Sequence, residues 1–567
     1  MKIEPAEKSV LNGKVSGGSV DAARSRRRRF VRLAQSAVIA LIAFGASNTA
    51  FIDPLLAQTT IRLNENAPGD TDPARSTRAI GSILFYNIYD TLLLPGEGGQ
   101  GAQPHLAESY TIDGDAYTFK LRQGVKFVSG NELTAEDVVF SLERLIAIGA
   151  GPAPLFKGWV KSAEAVDKYT VRITTTAPYA PFLAATFRLG IVEKAVVLAN
   201  LGKGDFGEMK DYGQAYLVMN SAGTGAYKIV SHAPQTQTVL EKNPDYFLPI
   251  PADAPDRVVL SYGVEQATQV ALMRRGELDI MSQWASPETK RTTLGIEGVS
   301  ILGEAGLTAL QIKLNTTRAP LDDVHCRRAL ALGLDYETLA SLANISDDAK
   351  GARVTNGPLL NGMLGYDANI PVYKRDMDAA KAELAQCKYK AGDHEMEIVW
   401  LAEVPLEERF ALLMQQNWGE LGFNTKINRV PVSLYYQSVA NKDTSPHVSQ
   451  IFPSALSPDP DSYLSSVYGT DVRGQPYAAE WLSDEKVDEL LAKGRETIDP
   501  DKRAPIYSEL AARLRELQPS IWAYEAVTTY PKSAKVSVPL LEEPGRNLRV
   551  AGMNMMFRMM KAAPAAK

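Results

Sequence analysis

Thiols and imidazoles are scarce in this chain: two cysteines, Cys326 and Cys387, and five histidines in 567 residues. The histidines (His105, His232, His325, His394 and His447) stand at no metal-ligand spacing, and cysteines in separate segments are poor support for a metal cluster. The cysteines fit one disulfide or two buried free thiols equally well. Catalytic signatures are missing too. There is no G-x-S-x-G, no Walker A lysine and no H-E-x-x-H, which argues against the hydrolases, P-loop proteins and zinc proteases that those motifs mark. Gly96-Glu97-Gly98-Gly99-Gln100-Gly101 matches G-x-G-x-x-G in form, but Gln103-Pro104 follows it instead of a helix. The phosphate-binding context is therefore absent, and the stretch reads as a loop. No cofactor is expected. Internal repeats are absent, and the apolar run Ala37–Ala46 is too short to cross a bilayer of ~30 Å, which takes roughly 20 residues.

What the chain does have begins with a charge asymmetry. Residues 1–57 carry nine Lys/Arg against four acids, a net of +5; the whole chain is −5, so the remainder is −10. An acidic body argues against nucleic acid and anionic membrane as partners. The basic excess is Arg26–Arg29 ahead of Ala37–Ala46, which suits the n-region and h-region of a signal peptide. Arg27-Arg28-Arg29-Phe30-Val31-Arg32 resembles the twin-arginine pattern R-R-x-F-L-K, and both the Tat and Sec routes stay open. Cleavage after Ala57 is favoured over Ala50, and no cysteine follows the run to carry a lipid. A soluble product in a Gram-negative periplasm is expected. With 45% hydrophobic and 22% charged residues the composition is that of a soluble globular protein, and the length calls for two or more lobes.

Periodicity supplies the elements. Tyr117, Phe119 and Leu121 alternate with Thr118, Lys120 and Arg122, and Val125-Lys126-Phe127 resumes after Gln123-Gly124, which predicts a hairpin. Thr134-Ala135-Glu136-Asp137 is a capping box that opens a helix with Val138, Val139, Phe140 and Leu142 on its apolar side. Ser82–Leu94 is apolar on a helical period, and strands are predicted at Thr60–Leu63, within Val166–Thr176, at Ala226–Val230 and at Thr238–Lys242. Gln266–Arg275 reads as a helix closed by Gly276. Beyond about residue 305, helices at Asp323–Asp335, Met377–Gln386, Leu406–Leu421, Lys486–Arg495 and Ala504–Leu517 accompany strands at Met396–Leu401 and Asn424–Val430. That half is α/β in character.

The stretch Pro104–Leu142 resembles the signature block of the family 5 extracellular solute-binding proteins, the receptors of peptide, nickel and related ABC importers. The likeness recurs in order over residues 58–530. Asp70-Thr71-Asp72-Pro73, Asn87–Leu92, Gly223–Tyr227 (with Ala226 in place of proline), Asn243–Tyr246 and Gly276–Asp279 are similar to family motifs. So are Arg328–Asp335, Gly357-Pro358 with Gly362–Tyr366, Leu421–Phe423 and Asp459–Tyr463. The resemblance implies an α/β, two-lobe periplasmic binding protein fold with a hinge and an extra subdomain in lobe 1. Residues 1–57 would be the signal peptide, 58–305 with 522–567 lobe 1, 96–213 its subdomain, and 306–521 lobe 2. It also implies a monomer that captures a peptide or peptide-like solute, does no chemistry on it, and works with the permease and ATPase subunits of an inner-membrane importer.

Several residues become candidate ligand contacts on that footing. Trp284, Trp400, Phe452 and Tyr463 could supply flat apolar wall, and Arg353, just ahead of Asn356-Gly357-Pro358, could hold a carboxylate bidentately. Asn356 is included with it. Asp459 sits in the loop that resembles the family's ligand-facing one, with an Asx-turn as the competing reading for Asp459 and Asp461. Members that clamp a peptide α-amine usually carry an Asp three residues before this D-P-D, where this chain has Leu456. That favours a bulkier, blocked or non-peptide solute. A receptor for a nickel or other metal chelate (with His447 near the D-P-D loop), an opine or an oligosaccharide remains an alternative, and an exported enzyme on this scaffold is a third class.

Overall fold

The structure, a computed structural model, describes residues 58–66, 71–76 and 79–563, so the signal-peptide reading of residues 1–57 lies outside the described residues. In chain order the principal strands are β1 (Thr60–Glu65), β2 (Ala107–Asp113), β3 (Ala116–Leu121), β4 (Val160–Asp167), β5 (Thr170–Thr175), β6 (Tyr227–Ala233) and β7 (Gln237–Lys242). They continue as β8 (Arg257–Tyr262), β9 (Val299–Leu314), β10 (Ala352–Val354), β11 (Glu395–Leu401), β12 (Asn424–Val430), β13 (Val448–Ile451) and β14 (Ser520–Ser533). The principal helices are α1 (Ala79–Ile88), α2 (Ala135–Ile148), α3 (Gln266–Arg274), α4 (Pro287–Thr293) and α5 (Val324–Gly333). After these come α6 (Met377–Leu384), α7 (Leu406–Gly419), α8 (Pro460–Tyr468), α9 (Glu485–Glu496) and α10 (Pro500–Leu517).

Three sheets organise the chain. One lobe is built on β1-β8-β7-β6, with β1 parallel to β8 and the rest antiparallel, and the other on β10-β14-β9-β13-β11-β12. The sheet β2-β3-β5-β4 forms the extra subdomain. The long strands β9 and β14 run through both lobes as an antiparallel pair. Val299–Ala305 lies against Val527–Ser533, on the first-lobe side, where Ile280 bridges both Leu63 and Lys532. Ala309–Lys313 lies against Ser520–Glu525, at the centre of the six-stranded sheet. Between them the register breaks, from Ala305 to Ala309. Extended strands that cross from one core to the other with a local loss of pairing make a hinge.

Most sequence expectations hold at element level, and two do not. Tyr117, Phe119 and Leu121 are buried and β12 spans Asn424–Val430, as the alternation predicts. The hairpin partner of β3, however, is the upstream β2, joined through Gly114 and Asp115 with Gly114 at φ 61. Val125–Phe127 instead folds onto Asn131–Leu133, with Leu133 N–H donating to Val125 O (2.8 Å). The helix expected over Ser82–Leu94 stops at Ile88, and Leu93–Pro95 pairs with Ala102–Pro104. The capping box forms: the Asp137 carboxylate accepts from Thr134 N–H at 2.9 Å. Cys326 and Cys387 form a disulfide, Cα atoms 5.2 Å apart.

Motifs far apart in sequence converge inside the first lobe. Asp90 accepts from Thr224 Oγ1 (2.6 Å) and Tyr246 OH (2.8 Å) and pairs with His105 Nε2 (2.7 Å), all of them within or beside the buried core. Asn87 donates to Met555 O (3.0 Å) and accepts from Phe557 N–H (2.7 Å), which ties the C-terminal segment to α1. Asp72 is bidentate with Arg144 of α2 (2.7 and 2.6 Å), both fully buried. These residues hold the scaffold together.

Candidate functional site

Glu525 sits at the register break, opposite Ala309 on one side and Arg353 of β10 on the other. Its carboxylate is spent twice, on an ion pair with Arg353 and on Asn361 N–H at 2.5 Å. Glu525 is 7% exposed at the side chain whereas Arg353 is 49% exposed, so the carboxylate anchors a guanidinium that still faces outward. Alongside, Thr308 and Ser454 share a hydrogen bond at 2.7 Å, and Ala455 N–H donates to Leu307 O (2.9 Å), so the segment after β13 runs on along β9 to the hinge. Trp284 presents its indole on the first-lobe side, 53% exposed. Beside it Lys290 of α4 donates to Gln283 O (2.6 Å) and to Thr529 Oγ1 (2.9 Å), four residues along β14 from Glu525. Burial pushes Lys290 down to about 8, with Glu65 opposing, and pushes Glu65 up to about 8.

The remaining sequence candidates are placed differently. Asp459 caps α8, accepting from Asp461 N–H (2.8 Å), and is bidentate with Arg503 of α10 at 2.6 and 2.8 Å. The Asx-turn reading thus describes its backbone bond, and its carboxylate is engaged in a buried pair. Asp461 is held by Arg495 (3.1 Å) and Ser465 Oγ (2.5 Å); burial raises its pKa, with Arg495 opposing. Tyr463 is fully buried and accepts from Gln311 Nε2 (2.8 Å), so it packs the second-lobe core. Trp400 is buried in β11 with Arg429 over its ring at 5.5 Å. Phe452 is half-buried, set edge-on to Tyr524. Asn356 donates to Asp367 O (2.8 Å) and Ile370 O (3.1 Å), pinning its own loop beside a cavity of about 180 Å³ that Tyr366 and Arg515 also line.

His447 stands at the far end of β13. Five residues lie between it and Pro453, roughly 20 Å of extended chain from one to the other, and its Nδ1 accepts from Glu397 N–H at 3.3 Å. Burial pushes it down to about 4, helped by Arg318, so the ring is neutral near pH 7. Leu456 packs against the first-lobe hydrophobic core. The residue that sequence reading missed outright at the hinge is Glu525. Its signal was there: one acid inside the otherwise apolar run Ile521–Val527, where a carboxylate needs a partner.

The profile of the bacterial extracellular solute-binding proteins, family 5 (middle), matches residues 101–475. A probable D,D-dipeptide-binding periplasmic protein of Escherichia coli is 29% identical over 78% of this chain and 83% of its own. A di/tripeptide-binding protein of Pseudomonas aeruginosa is 28% identical over 84% of this chain and 91% of its own. Among solved structures, an ABC transporter-associated periplasmic binding protein of Helicobacter pylori, in complex with the peptide STSA, superposes with a TM-score of 0.71. It is 24% identical, over 89% of this chain and 98% of its own. A substrate-binding protein of Listeria monocytogenes superposes with a TM-score of 0.77 at 20% identity, over 89% and 99% of the two chains.

Proposed function

The chain belongs to the bacterial extracellular solute-binding proteins of family 5, and on that footing we propose that it captures a peptide-like acid between its two lobes for an ABC permease and its ATPase. The observation that carries the reading is Arg353. A guanidinium fixed by a buried carboxylate at the hinge, yet half exposed, is built to take a second carboxylate from a guest. Trp284 and the half-buried Phe452 would add apolar wall, while Trp400, Asn356, Asp459 and Tyr463 would shape the lobes from behind. The relatives named for dipeptides and tripeptides support a peptide scale for the solute.

The amine end of the solute would be blocked or buried without a clamp. Leu456 fills the clamp position with an apolar side chain, and Asp459 and Asp461 are engaged by Arg503 and Arg495. Titration calorimetry with alanyl-alanine and N-acetyl-alanyl-alanine tests this: the blocked peptide should bind at least as tightly. Native mass spectrometry of protein taken from its own periplasm is the companion measurement, and a sugar or metal chelate as the retained mass would sink the peptide reading. The solute should be recovered unmodified after long incubation, since the role is transport and not turnover.

The proposed division is residues 58–305 with 522–567 as lobe 1, 96–213 as its subdomain and 306–521 as lobe 2; the first boundary lies where β9 loses register, whereas Trp522–Glu525 still pair with Ala309–Gln311 in the six-stranded sheet of the second lobe. The working form would be a monomer in the periplasm, freed of residues 1–57. No described helix is long and apolar enough to cross a membrane, and the acidic body is unsuited to nucleic acid.

A further inference from the structure

The C-terminal segment returns to the hinge and brings there an arginine whose Nε has no hydrogen-bond partner among the described residues. Asn554 Nδ2 donates to Glu304 Oε1 (2.7 Å) and Asn547 Nδ2 to Ala305 O (3.1 Å), both on β9 just ahead of the register break. Between these anchors Arg549 N–H donates to Asn547 Oδ1 (2.7 Å), and its backbone takes the left-handed conformation (φ 56). Side chains rarely accept that conformation, and where they do the surroundings impose it. The Arg549 side chain then crosses Gly99 of the first-lobe loop and ends against Gly362 of the second-lobe loop. A Cβ at either glycine would overlap it. Gln100 Nε2 closes the same gap by donating to Gly362 O at 2.7 Å. The glycine-rich stretch Gly96–Gly101 thus makes room for a guanidinium at the lobe junction.

Next to Gly362, Asn361 donates to Glu525, the carboxylate paired with Arg353. Arg549 and Arg353 are thus two cations acting at one carboxylate, Glu525. Other buried arginines are saturated: Arg144 and Arg503 are bidentate with aspartates, and Arg327 donates to three backbone carbonyls. Arg549 has a buried Nε with no hydrogen-bond partner. Burial lowers its pKa, Glu525 opposes that, and Arg353 adds to it. A buried guanidinium donor beside a half-exposed arginine has the chemistry to receive an anionic oxygen.

We propose that Arg549 and Arg353 form a two-guanidinium seat at the lobe junction for the carboxylate of the solute, which makes Arg549 a specificity-determining residue. The inference rests on reading the hinge junction as the solute cleft. Calorimetry with N-acetyl-alanyl-alanine and its C-terminal amide tests it. The wild type should prefer the acid, and Arg549→Gln should weaken the acid by about tenfold or more while leaving the amide unchanged. Arg549→Lys should fall between the two, because it keeps charge but loses the fork. Equal loss on acid and amide would make Arg549 a mere clasp and overturn the proposal, as would no loss on either. Acetate, titrated against chloride at constant ionic strength with the melting temperature as readout, separates the two failures. An acetate-specific rise that Arg549→Gln abolishes supports the seat even if no peptide binds, which would sink only the peptide reading. Absence of that rise in the wild type overturns the seat.

Discussion

Glu480 is wholly buried 3.4 Å from Lys313 Nζ, and neither of its oxygens accepts a hydrogen bond. Burial pushes the carboxyl up to about 7 against the pull of Lys313, and pushes Lys313 down to about 8 against that of Glu480. Between the ordinary carboxylate value of 4.5 and about 7, the folded chain keeps a proton that the unfolded chain has released. The contribution of Glu480 to stability is thus greatest below that window and falls as pH rises through it, by roughly 1.4 kcal/mol per pH unit for one proton. Lys313, whose charged form the same burial disfavours, acts in the opposite sense. Glu480→Gln should remove about one proton from the uptake linked to folding in the lower window. Urea unfolding at several pH values measures that slope, and an unchanged slope would mean that Glu480 is ionised in the folded chain. Asp459 is buried as well, but a bidentate pair with Arg503 satisfies both of its oxygens.

Elements are joined in ways that local pattern only partly reveals. The start of α2 and the span of β12 were legible because a capping box and two-residue alternation act within a few residues, whereas α7 stops at Gly419, two residues short of the expected Leu421. The β2–β3 hairpin was assigned to the wrong turn although Asp113-Gly114 carries a strong turn signal, since apolar alternation alone cannot choose between two flanking partners. The disulfide was one of two readings that sequence could not separate. Sequence supplies two thiols, and only the packing of α5 against the end of α6 brings them together, with Asp323 accepting from both His325 N–H (2.8 Å) and Lys388 N–H (3.1 Å) at the same joint. A cross-link over 61 residues restricts the unfolded chain by about 4 kcal/mol in the chain-entropy picture, and measured values centre on 2–4 kcal/mol. The double variant Cys326→Ala, Cys387→Ala should lose about that much in urea unfolding. Solute affinity should stay put, because the bridge joins α5 to the segment after α6 within one lobe. A loss of affinity at equal foldedness would place the bridge in the closing motion.

For the molecule as a whole, the hinge and one arginine beside it could be anticipated, and the rest of that junction could not. Arg353 was visible as an arginine in a glycine-proline loop; Glu525, Arg549 and Gly362 come from segments far apart in the chain and meet only when the lobes do. The D-P-D motif lies elsewhere on that junction. Arg495, which holds Asp461, stacks over Trp159 of the subdomain at 4.6 Å, Trp159 stacks on Tyr179 at 4.9 Å, and Ala180 N–H donates to Arg495 O at 2.9 Å. Other contacts between the same lobes are thinner: Glu288 with Arg409 at 2.7 Å, both half exposed, and Arg291 on Ile345 O at 2.9 Å. A partly desolvated cation–π stack is worth about 1–2 kcal/mol, an exposed ion pair about 0–1 kcal/mol. If closure is an equilibrium that the solute must complete, apparent affinity falls in proportion to the closed fraction, and about 1.4 kcal/mol off closure is tenfold in Kd. Trp159→Ala should therefore weaken solute binding by up to about tenfold although Trp159 lies outside the proposed seat, whereas Arg409→Ala should change it by about twofold or less. X-ray scattering of the solute-free proteins supplies the independent readout, with a larger radius of gyration expected for Trp159→Ala alone. If affinity drops with the radius unchanged, the tryptophan acts on the site itself and the D-P-D loop regains its place as a ligand wall.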